Sequence, residues 1–568
     1  MKKLVGLIIL FLIAAALYAV PPKTGTKHGG YIHLPGTQAP FRSPSKQVAD
    51  SSLQKIPSLS TAVIGDRNIL VILVEFKDKK FDPSRRDPDF YETMLGKEGE
   101  PAGSMTMRKY YQDMSGGRLN LTFTVFGPYD LGKNMAYYGE NIFLDNYYFD
   151  KLPGDLVYEA IQKAVADPKW TTLFETYKNN WDYDGNGIID TIIIIHAGLG
   201  EEDGNSEDIY TSRWSLSKAK IEGYSNHGSF TYNAEKTFDD YTIQPEYTSK
   251  GGVPGPSIGA ICHEYGHILG LVDLYDYTYE TAGVGFWSIM GIGNYGTIGY
   301  KNTTTGSDPA PLLAWEKWYL GWLTPETITP TAKPQTFKFT DIEESRKAWK
   351  IDLNPSGSQY LILEGKKRNW TGTGWAGLED GLLITHIDED ILDARWASNT
   401  INDTRTTVHG INIVEAQSKY YETTGLGSLW NYPAVRSGTV CFRNNTKSIL
   451  VPSYPQAAAG IGFFVSLLLL HRKRKKLGTL LLICCLACII ACDDGGGANS
   501  SDSGDDNGGI VIPGGDTGFH YVKGQYIPNT NYYTSELVTS KTGISGIIIT
   551  VDCPAGSSSG TFTVYKEE

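Results

Sequence analysis

A chain of 568 residues exceeds what one hydrophobic core organises, so two or three folded units are expected. Hydrophobic residues at 41% and charged residues at 20% describe an ordinary folded protein, and a formal net charge of −12 excludes a broad basic face for nucleic acid. The seven cysteines form neither two matched CxxC pairs nor a dense even framework, which excludes a disulfide-stapled main domain.

Lys2 and Lys3, the apolar run Leu4 to Leu17 and Tyr18-Ala19 ahead of Val20-Pro21-Pro22 have the layout of a secretory signal peptide over 1–19. An uncleaved N-terminal anchor is the alternative, and either exports the bulk of the chain. Residues 20–60 are rich in Pro, Gly, Ser, Thr and Lys and read as a leader or pro-segment. Order begins at Asn68 to Phe76, a continuous apolar run suited to a strand buried on both faces. Met105 to Met114 is helical in pattern and stops at Gly116-Gly117, and Leu119 to Phe126 alternates like a half-exposed strand. Asp155 to Ala166 reads as a helix with Leu156, Ala160, Ile161 and Ala164 on one face. A polar turn from Asp182 to Gly187 leads into a buried strand, Ile188 to His196. Mixed strands and helices imply an α/β or α+β domain over 61–328.

From 329 to 455 short strands separated by turn residues (337–340, 348–352, 360–364, 381–386 and 410–415) make a β-rich subdomain. Residues 456–492 carry two apolar arms, Ala457 to Leu470 and Leu477 to Cys492, around the basic stretch His471 to Lys476. Together they read as a transmembrane hairpin whose basic turn stays in the cytoplasm. Ile489-Ile490-Ala491-Cys492 also resembles a lipoprotein signal, or the trace of a gene fusion, and a buried helix pair is the third reading. Residues 493–517 form an acidic Gly/Ser linker, and 518–568 fit a small β module.

The chemistry centres on Ile261-Cys262-His263-Glu264-Tyr265-Gly266-His267. Helical residues four apart share a face, so His263 and His267 present two imidazoles to one metal ion. Glu264, beside the first, is placed to take a proton from a metal-activated water as it attacks a carbonyl. Ser257 is the N-cap and Gly270 a left-handed helix end. Asp273, six residues past His267, supplies a third ligand; a helix-end carboxylate bonding backbone amides is the alternative. Gly285 to Gly291 then sets Met290 in a Gly-flanked turn. This order of histidine pair, glycine, third ligand and methionine resembles the metzincin motif, with an aspartate where most members have histidine.

The segment closely resembles the immune inhibitor A-type metallopeptidases, in which the same motif is followed by a Tyr-Asp pair, here Tyr275-Asp276. The resemblance takes in Tyr110-Tyr111, Ser115 to Gly117, Tyr241 to Pro245, Ala314-Trp315, Leu320 to Trp322 and Gly381 to Asp388, roughly residues 65 to 420. It implies protein or peptide substrates, one catalytic zinc, often structural calcium, and a zincin-type catalytic domain followed by the β-rich subdomain. Asp276, or Glu280 in a gluzincin-like geometry, remains the alternative third ligand. Asp182, Asp184, Asn186 and Asp190 match the front half of a calcium loop, but Ile193 stands where a bidentate Glu belongs. A polar turn before a strand explains the same residues. Tyr295 is placed to stabilise an oxyanion or to pack as an aromatic. His196, His386 and Cys262 read as structural. A non-catalytic zinc-fold surface adhesin is the competing function, against which Glu264 argues, since a structural zinc site needs a fourth protein ligand and no catalytic carboxylate.

Overall fold

In the computed structural model, the apolar run after Asn68 becomes β1 (Gly65–Glu75), buried from Arg67 onward. The structure describes residues 63–97, 105–144, 147–201, 206–248, 257–276, 283–295, 306–367, 381–396, 399–402, 409–413, 437–442, 519–522, 525–528, 547–552 and 558–566. Expectations for 1–19, 20–60, 456–492 and 493–517 fall outside these residues. The chain divides into one unit of Met1–Arg443 with Val511–Glu568 and another of Asn444–Ile510, none of which is described. Among the described residues no helix is long and apolar enough to cross a membrane.

After β1 come α1 (Met107–Ser115), β2 (Leu119–Asp130), α2 (Pro153–Val165), α3 (Trp170–Trp181), β3 (Ile188–Ile189), β4 (Ile192–His196), β5 (Ser212–Ser215), β6 (Lys236–Phe238), β7 (Asp240–Pro245) and α4 (Ile258–Ile268). Thr106 opens α1 by accepting the Lys109 N–H, and Gly116 closes it at φ 67°. The main sheet runs β2-β1-β4-β7-β5. Its first four strands are parallel and β5 is antiparallel to β7. Both faces are covered, so the alternation of a strand appears as a division between two cores. Ile69, Val71 and Leu73 of β1, with Ile193 and Ile195 of β4, join the core that holds α1 and α4. Leu70, Ile72 and Val74, with Ile192 and Ile194, join the core that holds α2 and α3. Each such Ile or Leu contributes about 1.5–3 kcal/mol by leaving water.

The run Ile188 to His196, expected as one strand, is two. β3 pairs with β6, while β4 belongs to the main sheet. Asp190 makes the break: its N–H donates to the Trp181 carbonyl at 2.8 Å and its Oδ2 accepts the Tyr183 N–H at 2.7 Å. A half-buried carboxylate bonded back to the preceding loop outweighs the strand propensity of its neighbours.

The β-rich region follows α5 (Ala314–Tyr319) and contains β8 (Glu326–Thr327), β9 (Gln335–Phe339), β10 (Ala348–Asp352), β11 (Gln359–Lys366), β12 (Gly381–Asp388), α6 (Glu389–Arg395), β13 (Ile411–Ile413) and β14 (Ser437–Phe442). β15 (Phe519–Val522), β16 (Gln525–Pro528), β17 (Ile547–Asp552) and β18 (Gly560–Lys566) come after the undescribed unit. One sheet runs β8-β10-β11-β12-β13, the other β9-β18-β17-β14-β16-β15. Leu361, Leu363, Leu382 and Ile384 pack with Ile547, Ile549, Phe562 and Val564 between the sheets. On the opposite face Tyr360, Ile362, Leu383 and Ile387 join the core of α1 and α4.

One sequence expectation changes here. The C-terminal residues do not stand apart as a module, because β18 pairs along the whole of β9 and Phe562 stacks on Phe337 at 5.2 Å. The β-rich subdomain expected from 329 shares its core with the region before it, since one apolar cluster runs across that point. An exposed face bearing Tyr360, Ile362 and Leu383 would leave a large apolar patch in water, and the catalytic region covers it.

Candidate metal centre

α4 is fixed at both ends. Ser257 accepts the Ala260 N–H at 3.2 Å, and a Cβ on Gly259 would stand 1.9 Å from the Asn294 carbonyl oxygen, so the helix lies directly on that turn. Beyond its last turn Gly270 takes φ 95°, where glycine alone is unstrained, and the chain reverses. The middle of the helix is held by Tyr111 of α1, whose hydroxyl donates to the Cys262 carbonyl at 2.5 Å.

His263 and His267 lie one turn apart, ring centroids 4.8 Å from each other and ring planes at 89°. Nδ1 of His263 faces the Ile289 carbonyl at 2.8 Å and Nδ1 of His267 the Leu271 carbonyl at 3.0 Å. A ring nitrogen against a carbonyl carries the proton, so each imidazole in its neutral form turns the lone pair of Nε2 outward, the tautomer a metal ligand needs. Both point at one atom: Asp273 Oδ1 stands 3.1 Å from His263 Nε2 and 3.4 Å from His267 Nε2. All three side chains are buried.

Three donors this close demand a positive charge among them. Burial works against charge on His263, but the hydrogen bond and charge of Asp273 outweigh it and lift the imidazole to about 9. At His267 burial prevails and the pKa falls. For Asp273 burial is overcome by the histidines, which hold the carboxyl below its usual range. Two imidazole nitrogens and one carboxylate oxygen are the donor chemistry of a three-ligand zinc site, and the residues fit that ion.

Glu264 follows His263 directly and is fully buried. Met290 lies beneath the helix: a Cβ on Gly266 would come 2.6 Å from its sulphur, so any side chain there would have to displace the thioether. The methionine turn is clipped to the ligand loop by Leu274 N–H on the Met290 carbonyl at 2.8 Å. It is braced below by Ser288 Oγ, which accepts the Met290 N–H at 3.0 Å and donates to Glu316 of α5 at 2.7 Å.

Other residues named from sequence fall as follows. Asp276 is buried but outside the cluster of His263, His267 and Asp273, while the Tyr275 ring stacks near His263 at 6.5 Å. Glu280 lies outside the described residues. Tyr295 is half-buried and packs beside Tyr275 and Ile292. Cys262 is buried, with its thiol pushed up by burial. His196 and His386 are also buried, both lowered to about 4 by burial and hence neutral.

Carboxylate oxygens of Asp182, Asp184 and Asp190 gather within 4.8 Å. Asn186 N–H donates to Asp182 Oδ1 and Asp184 Oδ1, both at 3.0 Å, and Gly187 N–H to Asp182 Oδ2 at 2.9 Å. Burial lifts Asp190 to about 7. A cation is already present in covalent form: the Lys236 ammonium of β6 bonds Asp182 Oδ2.

Sequence reasoning missed Asn399. Its Nδ2 donates to Asp273 Oδ2 at 2.6 Å and its Oδ1 accepts the Asp273 N–H at 2.7 Å. No local signal marks it, because it lies 126 positions from its partner.

Residues 60–323 match the family model described as immune inhibitor A peptidase M6, catalytic domain. Over 286 residues, 44% of the chain, the sequence is 31% identical to the pre-pro-metalloprotease PrtV of Vibrio cholerae serotype O1, covering 29% of that protein. Over 313 residues, 49% of the chain, it is 31% identical to Immune inhibitor A of Bacillus thuringiensis subsp. alesti, covering 44% of it. The chain thus spans less than half the length of these relatives. Residues 60–323, with the histidine pair and its glutamate inside the match, are thus similar to the catalytic domain of the immune inhibitor A metallopeptidases.

Proposed function

We propose that this protein is an exported zinc-dependent endopeptidase that hydrolyses peptide bonds of extracellular proteins or peptides. The observation that carries the reading is the convergence of His263 Nε2, His267 Nε2 and Asp273 Oδ1 beside the buried Glu264. His263, His267 and Asp273 would hold the zinc. When bound, that ion supplies Lewis acidity and lowers the pKa of a water at its open position. Glu264 takes the proton from the attacking water onto its carboxylate and delivers it to the leaving amine nitrogen. Tyr295 is assigned the hydroxyl that donates to the carbonyl oxygen as negative charge develops there. Met290 serves as the floor that fixes the spacing of the two imidazoles. Glu264→Ala, assayed on casein at matched zinc content, should lose about 10²–10⁴-fold in kcat. Equal turnover by mutant and parent would sink the peptidase reading.

Calcium is proposed for Asp182, Asp184, Asn186 and Asp190, supported by the gathered carboxylates, and it has to share Asp182 with Lys236. Attachment to a membrane through 457–492 is proposed as a hairpin. β9 and β14 precede that stretch, β17 and β18 follow it, and all four share one sheet. Flanks that share one sheet would lie in one compartment, which supports a hairpin over a single span.

A further inference from the structure

We propose that Asn399 is a positioning residue of the metal centre, contributed by the β-rich region to fix which oxygen of Asp273 faces the two histidines. The inference rests on the zinc reading above and adds a residue outside the stretch that matches the family.

A carboxylate at the end of a reversing loop has two equivalent oxygens and a rotatable bond, so alone it does not define a ligand position. Asn399 removes both freedoms. Its amide hydrogen is directed at Asp273 Oδ2 at 2.6 Å, and its amide oxygen accepts from the Asp273 backbone at 2.7 Å. Only one orientation of the amide satisfies both bonds, because a flipped amide would set oxygen against carboxylate and N–H against N–H. With Oδ2 engaged, Oδ1 is the oxygen left facing His263 Nε2 and His267 Nε2. A donor to the outer oxygen of a ligating carboxylate is the arrangement by which outer partners orient metal ligands.

The asparagine is itself firmly placed. It adopts φ 54°, a left-handed conformation that asparagine tolerates better than most residues, and is 2% exposed. Its N–H donates to the carbonyl of Trp396 at 3.0 Å, and the Trp396 ring packs on Tyr319 at 4.9 Å and Trp315 at 6.0 Å. Three residues on, Asn402 Nδ2 donates to the Leu274 carbonyl at 2.8 Å while its Oδ1 accepts the Ile411 N–H. Two asparagines of one short turn thus hold two consecutive residues of the ligand loop. The β-rich region is in this sense a part of the metal centre.

Zinc affinity of the full chain, measured by competition with a chromogenic chelator, is compared between the parent, Asn399→Ala and Asn399→Gly. Glycine keeps the left-handed backbone and deletes only the amide, so it carries the test even where alanine fails to fold. Asn399→Gly should bind zinc about 10–100-fold more weakly, with an altered visible spectrum of the cobalt-substituted protein, whatever the change in thermal midpoint in chelator, since deleting the amide also leaves the buried Asp273 N–H without its acceptor. Parent-like zinc affinity and cobalt spectrum in Asn399→Gly would overturn the proposal. So would a lowered midpoint in chelator with a parent-like cobalt spectrum, since that is the mark of a merely structural residue. A parent that binds no zinc would instead refute the underlying metal reading.

Discussion

Glu316 offers a quantitative test of how the methionine turn is supported. Its carboxyl is 1% exposed, with Oε2 accepting from Ser288 Oγ and from the Leu313 N–H, both at 2.7 Å. Oε1 is buried with no hydrogen-bond partner among the described residues. An ionised carboxylate with one oxygen unsatisfied is poorly solvated, and burial, opposed by the two bonds, raises Glu316 from 4.5 to about 7. The folded state therefore holds the proton more tightly than the unfolded chain. The stability associated with it is complete below pH 4.5 and is lost as pH rises through about 7. At about 1.4 kcal/mol per pH unit across that interval, the loss is roughly 3 kcal/mol. Glu316→Gln keeps an oxygen for Ser288 and Leu313 but cannot ionise. Urea unfolding in chelator, at several pH values from 4.5 to 8, isolates the effect, because the other titrating groups are common to both proteins. The stability of Glu316→Gln relative to the parent should climb by roughly 3 kcal/mol between pH 4.5 and 7 and then level off. A difference that stays flat across this range would refute the reasoning and place the carboxyl among the ordinary, ionised glutamates.

Two more expectations concern the remaining sites. The parent's thermal midpoint should respond weakly to millimolar calcium, because Lys236 already neutralises Asp182, whereas Lys236→Met should gain about 5–10 °C at saturating calcium; identical responses would show that the lysine does not compete. Thr336 and Thr563 face each other across β9 and β18, their hydroxyls 2.9 Å apart and exposed. Cysteines placed singly at the two positions should label equally with an impermeant maleimide on intact cells, and protection of one alone would contradict the hairpin.

Local patterns in the sequence carried much of this architecture. β1 was legible because a strand covered on both faces leaves an unbroken apolar run, and α4 because ligands, cap and terminal glycine all lie within one short segment. Asp190 was also visible, yet its effect was not, since an aspartate inside an isoleucine run breaks the strand only by virtue of the loop it bonds to. The fate of the C-terminal strands was hidden for a related reason. Alternation shows that β18 has an apolar face, but its partner β9 lies more than 200 positions away, and pairing at that distance leaves no periodic trace.

The third ligand shows where local reading stops. Asp273, Asp276 and Glu280 all follow Gly270; the order of the motif favours Asp273, but spacing alone leaves the other two open. What separates Asp273 from Asp276 is the path of the chain after Gly270, set by the Leu274 bond to the Met290 carbonyl and by Asn399 and Asn402 from a different part of the fold. The histidine pair is encoded within one helix, whereas the carboxylate proposed to complete it is selected by tertiary contacts. Loss of the Asn399 and Asn402 amides should therefore release Asp273 while leaving His263 and His267 one turn apart on their helix.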